Sequence, residues 1–559
     1  MTTEYVPGPA GLDDARSLCD VLLRTAAANS DRLALRTMDG KLEVTYEEAL
    51  ARIRSFVGGL GALGVARGEP VALMLANRPE FHLIDAAAMF LGAVPFSIYN
   101  TSPPEQVGYV LSDAGSRVAI IEERFLATVR AAREHGARLD HVVVIDAECD
   151  GCLTLADLAA GDAAEVDLEA SADHVAGDDL LTLIYTSGTT GPPKGVEITH
   201  ANMLAQLRGM DAAVPLPGGG RQVSFLPTAH IADRWTSHYS AFMTYANTVT
   251  SVAEIQQAME VVARVRPTIF AAVPRIWEKV KASLEAGFGP DLGAKARATP
   301  ELAESIRVKL GLDQAQWLVT GAAPTPVEVL EFFDALGLPL CEGLGMSEAS
   351  CIVATNRPGV VRQGSVGLPL DTVELRLAGD GELFVRGPQV MRGYRNMPER
   401  TAEAIDGDGW LHTGDVARID EDGFVWIVDR KKELIINAAG KNMSPANIEM
   451  RLKSAGPLIG QACVIGDRRP YNVALLVLDP VAGADLDPTD LGVVARVREE
   501  VDAANTHLAR VEQIKRFRLL AGDWSPDGDE LTPTMKLKRR TIERKYADEI
   551  EALYAQGQS

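Results

Sequence analysis

Tyr185-Thr186-Ser187-Gly188-Thr189-Thr190-Gly191-Pro192-Pro193-Lys194-Gly195 is the stretch on which the reading of this chain turns. The apolar run Leu180 to Ile184 leads into it and reads as a buried strand. From Thr186 to Thr190 every side chain is a small hydroxyl or a hydrogen. Glycines bring backbone N–H groups close to a ligand. Hydroxyls donate to anionic oxygens, and a lysine adds a mobile point charge. Together these are the parts of a loop that holds polyphosphate. A plain solvated turn needs neither eleven residues nor a lysine set among glycines. The run is not the mononucleotide P-loop, because Lys194 is followed by Gly195-Val196 rather than Ser or Thr.

Upstream, buried strands are expected over Pro70 to Leu75, Ala93 to Ile98, Val118 to Ile121 and Val142 to Ile145. Helical patterns lie between them, and Thr45-Tyr46-Glu47-Glu48 reads as a capping box ahead of one. Strands alternating with helices imply parallel sheets covered on both faces. Residues 146–178 are acidic and read as a surface excursion, and residues 287–304, with three glycines and two prolines, as a loop. After about residue 363 the texture becomes hairpin-like, and from about Arg430 a compact α+β tail begins. The expected organisation is α/β: a large domain over 1–429, with a β subdomain at about 363–428, and a small mobile domain over 430–559.

The 559 residues exceed one core. A balance of 55 basic against 77 acidic residues, −22, argues against nucleic-acid binding. It leaves peripheral membrane contact only to a local basic patch. Six scattered cysteines suit a reducing compartment, and the lone Cys149-Asp150-Gly151-Cys152 reads as an acidic surface turn rather than a zinc site. No signal peptide or bilayer-length apolar run is visible, so the expected place is the cytoplasm.

Further motifs follow the hydroxyl-rich run. Gly321-Ala322-Ala323-Pro324 is a turn after a strand, and Glu342-Gly343-Leu344-Gly345-Met346-Ser347-Glu348 follows the strand expected at Leu338 to Cys341. Trp410-Leu411-His412-Thr413-Gly414-Asp415 ends in an acceptor-only carboxylate suited to a diol. Asp429-Arg430-Lys431-Lys432-Glu433-Leu434-Ile435 lies at the composition change. Gly440-Lys441-Asn442-Met443-Ser444-Pro445 and Leu531-Thr532-Pro533-Thr534-Met535-Lys536-Leu537-Lys538-Arg539-Arg540 complete the set. Read alone, the last is a basic patch for nucleic acid or lipid, and a charge run is a solvated face.

In this order, over about residues 20 to 550, these motifs resemble the adenylate-forming superfamily, and most closely its bacterial long-chain fatty acid–CoA ligases. The resemblance implies activation of a carboxylic acid by ATP and Mg²⁺ to acyl-AMP, then transfer to coenzyme A. It assigns nucleotide contacts to Thr186, Ser187, Gly188, Thr189, Thr190, Lys194, Gly321, Glu342, Gly343, Leu344, Ser347, Asp415, Arg430, Lys432 and Lys536. Thr186 and Glu348 would hold Mg²⁺. Lys536, Lys194 and His230 would be catalytic, with His230 beside the acyl carboxylate. Trp235, in Leu226-Pro227-Thr228-Ala229-His230-Ile231-Ala232-Asp233-Arg234-Trp235, is a candidate acyl gate, with core packing as the alternative. Lys432 would be the pivot of the small domain and Gly440 part of the coenzyme A loop. Leu344 stands where relatives place an adenine-stacking tyrosine, so any stacking gain is lost. Alternatives are an acyl-AMP ligase that loads a carrier protein, a ligase for an aromatic or polycyclic acid, a luciferase-like oxygenase and a non-catalytic nucleotide binder. Chain length and oligomeric state are not specified by these motifs.

Overall fold

The computed structural model describes residues 11–161, 166–186, 192–437, 442–525, 528–532 and 536–555. Ser187, Gly188, Thr189, Thr190 and Gly440 therefore lie outside the described residues. The chain divides into two units. The first holds residues 1–322, 330–376 and 384–412; the second holds 323–329, 377–383 and 413–559.

The first unit is built on parallel sheets. One has the spatial order Val94–Ser97, Pro70–Met74, Val118–Ile121, His141–Val144, Leu153–Thr154, all parallel. These strands are near-continuous apolar runs because helices cover both faces. Phe96, Ala119, Ile121 and Val142 pack with Val107, Leu111 and Val129 from the crossover helices. A second sheet runs Ile269–Ala272, Trp317–Gly321 and Leu340–Met346 in parallel, then turns antiparallel at Cys351–Thr355. A third joins Arg221–Ser224, Thr248–Ser251 and Leu33–Thr37 in parallel. The capping box forms as read: Glu48 N donates to Thr45 Oγ1 at 3.2 Å and Thr45 N to Glu48 Oε2 at 2.9 Å.

Three expectations need correction. Residues 287–304 are not a loop: helices occupy Leu292–Ala298 and Pro300–Leu310. Pro300 opens the second helix, where its missing N–H costs nothing. Residues 146–178 are not only an excursion, since Leu153–Thr154 adds a strand to the first sheet. The strand expected to stop at Cys341 runs on to Met346.

In the second unit, residues 415–419 pair antiparallel with Val425–Arg430. Ile459–Ile465, Asn472–Leu478 and Ile514–Leu520 form a three-stranded sheet. Leu452, Leu476, Val497 and Val501 make one core against it, and Leu475, Trp524, Leu531 and Ile542 another. Among the described residues no helix is long and apolar enough to cross a membrane.

Candidate active site

The hydroxyl-rich run bridges an antiparallel hairpin, Leu180–Thr186 with Lys194–Thr199, whose register sets Thr186 opposite Lys194. Gly195 packs closely there: a Cβ would stand 3.0 Å from the Tyr185 ring. A third strand, Gly393–Tyr394, pairs with Val196 and Glu197. It sets the Tyr394 ring 3.8 Å from Lys194 Nζ, a cation–π contact. The Tyr394 hydroxyl donates to Glu348 Oε1 at 2.7 Å. Positions 194, 348 and 394 thus converge, and the candidate phosphate lysine and the candidate metal carboxylate share one phenol. Sequence reading missed Tyr394; its only signal is a single aromatic inside the polar run Arg392 to Asn396.

Tyr394→Phe keeps the ring under Lys194 but removes a hydrogen bond to a carboxylate, worth about 1.5–3 kcal/mol. With magnesium-ATP as the expected ligand of Lys194 and Glu348, the expected result is a rise of about tenfold or more in its half-saturating concentration. Steady-state titration of the nucleotide checks it; an unchanged midpoint excludes a role for the phenol in holding Glu348.

Gly321, at the end of its strand, and Gly343, midway along the neighbouring one, are register partners, so two assigned nucleotide contacts sit side by side. Leu344 is buried opposite Ala354 and offers an aliphatic surface, not a ring. Gly345 admits no side chain, since a Cβ would lie 2.2 Å from the Cys351 carbonyl oxygen. Glu342 is buried, and its Oε2 accepts the Gly364 N–H at 2.9 Å. Ser347 is buried two residues beyond Gly345, and Glu348 is half-buried.

His230 opens the short helix Ile231–Asp233 and is half-buried. Its Nδ1 accepts the Ala232 N–H at 3.1 Å, which puts the ring proton on Nε2 and makes that nitrogen a donor. The chain continues into a buried π-helical segment, Arg234–Phe242, a conformation common at functional sites. Arg234 Nη2 lies 2.7 Å from Asp85 Oδ2 with both side chains fully buried. It is a close ion pair rather than an aligned hydrogen bond. His238 Nε2 meets Asp85 Oδ1 at 3.0 Å, and the two Nδ1 atoms of His238 and His82 are 3.0 Å apart. Burial lowers the pKa of both imidazoles, so both are neutral at pH 7. Burial would raise Asp85, but Arg234 and His238 bring it below the ordinary carboxylate range.

Trp235 is buried, edge-on to Trp317 with ring centres 6.3 Å apart. The two rings, with Leu207, Met210, Tyr245 and Ile269, line a cavity of about 20 Å³. That is room for about one water.

In the second unit Asp415 is buried, and its Oδ1 lies 2.6 Å from Arg430 Nε. The strand register places these two assigned contacts opposite one another. Gly414 turns the backbone at φ +72°, a conformation that favours glycine. Asp429 is no solvated charge: it is buried and takes the Ser444 hydroxyl. Burial raises its pKa. Lys432 is exposed. The basic run near the end is likewise not a plain patch. Arg539 is largely buried and clamps Glu449 through two contacts of 2.5 and 2.6 Å, with Glu433 at 3.1 Å. Lys536 is exposed.

The profile of the AMP-binding enzyme family matches residues 22–395, and that of the AMP-binding enzyme C-terminal domain matches residues 432–558. The chain belongs to the AMP-binding enzyme family. Within this family it is similar to "Putative fatty-acid--CoA ligase fadD11" of Mycobacterium tuberculosis, 47% identical over 451 residues, 72% of this chain and 79% of that one. It is also similar to "Long-chain-fatty-acid--CoA ligase FadD15" of the same organism, 36% identical over 566 residues, 93% and 94% of the two chains. The o-succinylbenzoate CoA synthetase of Bacillus subtilis, solved with its acyl-adenylate intermediate, superposes with a TM-score of 0.73 at 25% identity, covering 94% of this chain and 97% of that one. That CoA synthetase thus shares this chain's fold.

Proposed function

We propose that this chain is an AMP-forming long-chain fatty acid–CoA ligase. The substrate class follows the relatives named above, and the reaction type follows the family. Within the molecule, the observation that carries the reading is the trio Lys194, Tyr394 and Glu348. One cation and one carboxylate on the same phenol suit a polyphosphate with its divalent counter-ion.

The donor chemistry fits Mg²⁺. Glu348 brings a carboxylate with Oε1 already fixed by a phenol, and Thr186 a hydroxyl. Among the described residues no three acidic, histidine or cysteine side chains form a self-contained cage. An ion that shares its ligands with phosphate and water needs none. When bound, Mg²⁺ would neutralise charge on the departing pyrophosphate.

The fatty carboxylate attacks the α-phosphorus, and the bond to pyrophosphate breaks. Lys194 and the hydroxyls of Ser187, Thr189 and Thr190, with the Gly188 backbone, take up the leaving charge. Ser347 bonds a phosphate oxygen, Gly321, Glu342, Gly343 and Leu344 line the base, and Asp415 accepts from the ribose hydroxyls with Arg430 beside it. Lys536 stabilises charge on the attacked phosphate and the incoming carboxylate. His230 donates from Nε2 to the acid, and Trp235 opens to admit its tail. Coenzyme A thiolate then attacks the mixed anhydride and AMP leaves, with Lys432 as pivot and Gly440 beside the pantetheine. Six free thiols are consistent with a reducing cytoplasmic setting.

The test is ATP–pyrophosphate exchange driven by a panel of acids, followed by release of AMP that depends on coenzyme A. Hexadecanoate is expected to support both. Absence of exchange with every acid overturns the reading. Exchange without AMP release on adding coenzyme A transfers the second step to a carrier protein.

A further inference from the structure

Between the strand Arg221–Ser224 and the helix Ile231–Asp233 the chain makes a loop, residues 225–230, with His230 as its last residue. Asp233 is 1% exposed, and the groups that meet it come from three separate segments. Ser224 Oγ, at the end of the strand, lies 3.3 Å from Oδ1 and 3.2 Å from Oδ2. Ser237 Oγ, in the π-helical segment, donates to Oδ1 at 3.0 Å. Asn77 Nδ2, from the turn after strand Pro70–Met74, lies 3.4 Å from Oδ2. The same amide donates to Ser224 Oγ at 2.8 Å and to the Leu226 carbonyl at 2.7 Å. The neighbouring Arg234 guanidinium is engaged by Asp85, Tyr239 and Ser97 instead.

A buried carboxylate without its own cation is costly, and a site that only needed filling would hold an apolar side chain. Burial pushes Asp233 up to about 7, the direction that cost dictates. The cost is offset by hydrogen bonds, and those from Ser224 tie the end of the strand that precedes the loop to the end of the short helix that follows it. We propose that Asp233 is a positioning residue for recognition of the acid, a staple that closes the loop and so fixes where His230 presents Nε2. This rests on the reading of His230 as the neighbour of the acyl carboxylate.

The experiment is steady-state kinetics of the full chain with hexadecanoate and ATP. Asp233→Ala is expected to raise KM for the acid about tenfold while KM for ATP stays within about twofold, the loss of roughly one hydrogen bond's worth of orientation. Asp233→Asn, which keeps shape and one acceptor, is expected to recover most of that. Because the staple acts through His230, adding Asp233→Ala to His230→Ala should cost almost nothing further. A merely structural role would lower kcat by loss of active protein and leave both KM values in place. If Asp233→Ala does not fold, Ser237→Ala removes one donor and is expected to raise KM for the acid about threefold. A KM for the acid that moves with His230→Ala but not with the Asp233 or Ser237 variants, or that moves additively, overturns the staple. A KM for the acid unmoved by His230→Ala overturns the site reading itself.

Discussion

Lys536→Ala is expected to slow adenylation by about 10²–10³-fold, the loss typical when one group that stabilises transition-state charge is removed. The backbone at this position is held on both sides. Thr532 N donates to the Lys536 carbonyl at 2.8 Å, and Lys536 N donates to Thr532 Oγ1 at 3.0 Å. Leu531 and Leu537 face each other in an antiparallel bridge, and three residues beyond Lys536 the Arg539 guanidinium is clamped by Glu449. Lys536 is thus an exposed residue on an anchored stretch of backbone. Thioester formation from supplied acyl-AMP should persist, since that step does not use the attacked phosphate. Single-turnover assays of the two half-reactions separate the cases. Equal loss in both would contradict the assignment.

Asp85→Ala is expected to destabilise the first unit by about 3–5 kcal/mol, the usual cost of removing one partner of a buried ion pair. The Arg234 guanidinium would be left in a fully buried site whose other nitrogen-bearing neighbours, His82 and His238, are neutral. Against a typical domain stability of about 5–15 kcal/mol this is a large fraction. In a chain of this size unfolding is commonly irreversible, so the measure is the rate of thermal inactivation at fixed temperature. Asp85→Leu combined with Arg234→Met should recover much of the loss, because the uncompensated charge goes with the carboxylate. A single variant that inactivates no faster than the parent would show that the pair contributes nothing.

The parallel core was legible because its strands are unbroken apolar runs such as Val118 to Ile121, and because Thr45 and Glu48 announce a helix start by their spacing. Boundaries failed where one residue type serves two ends. Gly343 and Gly345 read as loop glycines, yet Gly345 is a strand residue made necessary by the Cys351 carbonyl of the neighbouring strand. Pro300 read as a breaker but starts a helix. Lys194 and Glu348 could be found as motifs. Tyr394 could not, since it joins them only through strand pairing with Val196. The Asp85–Arg234–His238 cluster was equally hidden, because 149 residues separate Asp85 from its partner Arg234 and no local pattern marks either.

The strand that continues to Met346 also limits redesign. Gly343, Leu344, Gly345 and Met346 are rungs of a five-stranded ladder as well as the approach to Glu348. Transplanting the corresponding stretch from another enzyme would replace part of the scaffold together with the proposed base contacts. Single exchanges at Leu344, whose side chain alone differs between ring and aliphatic surface, are the gentler route.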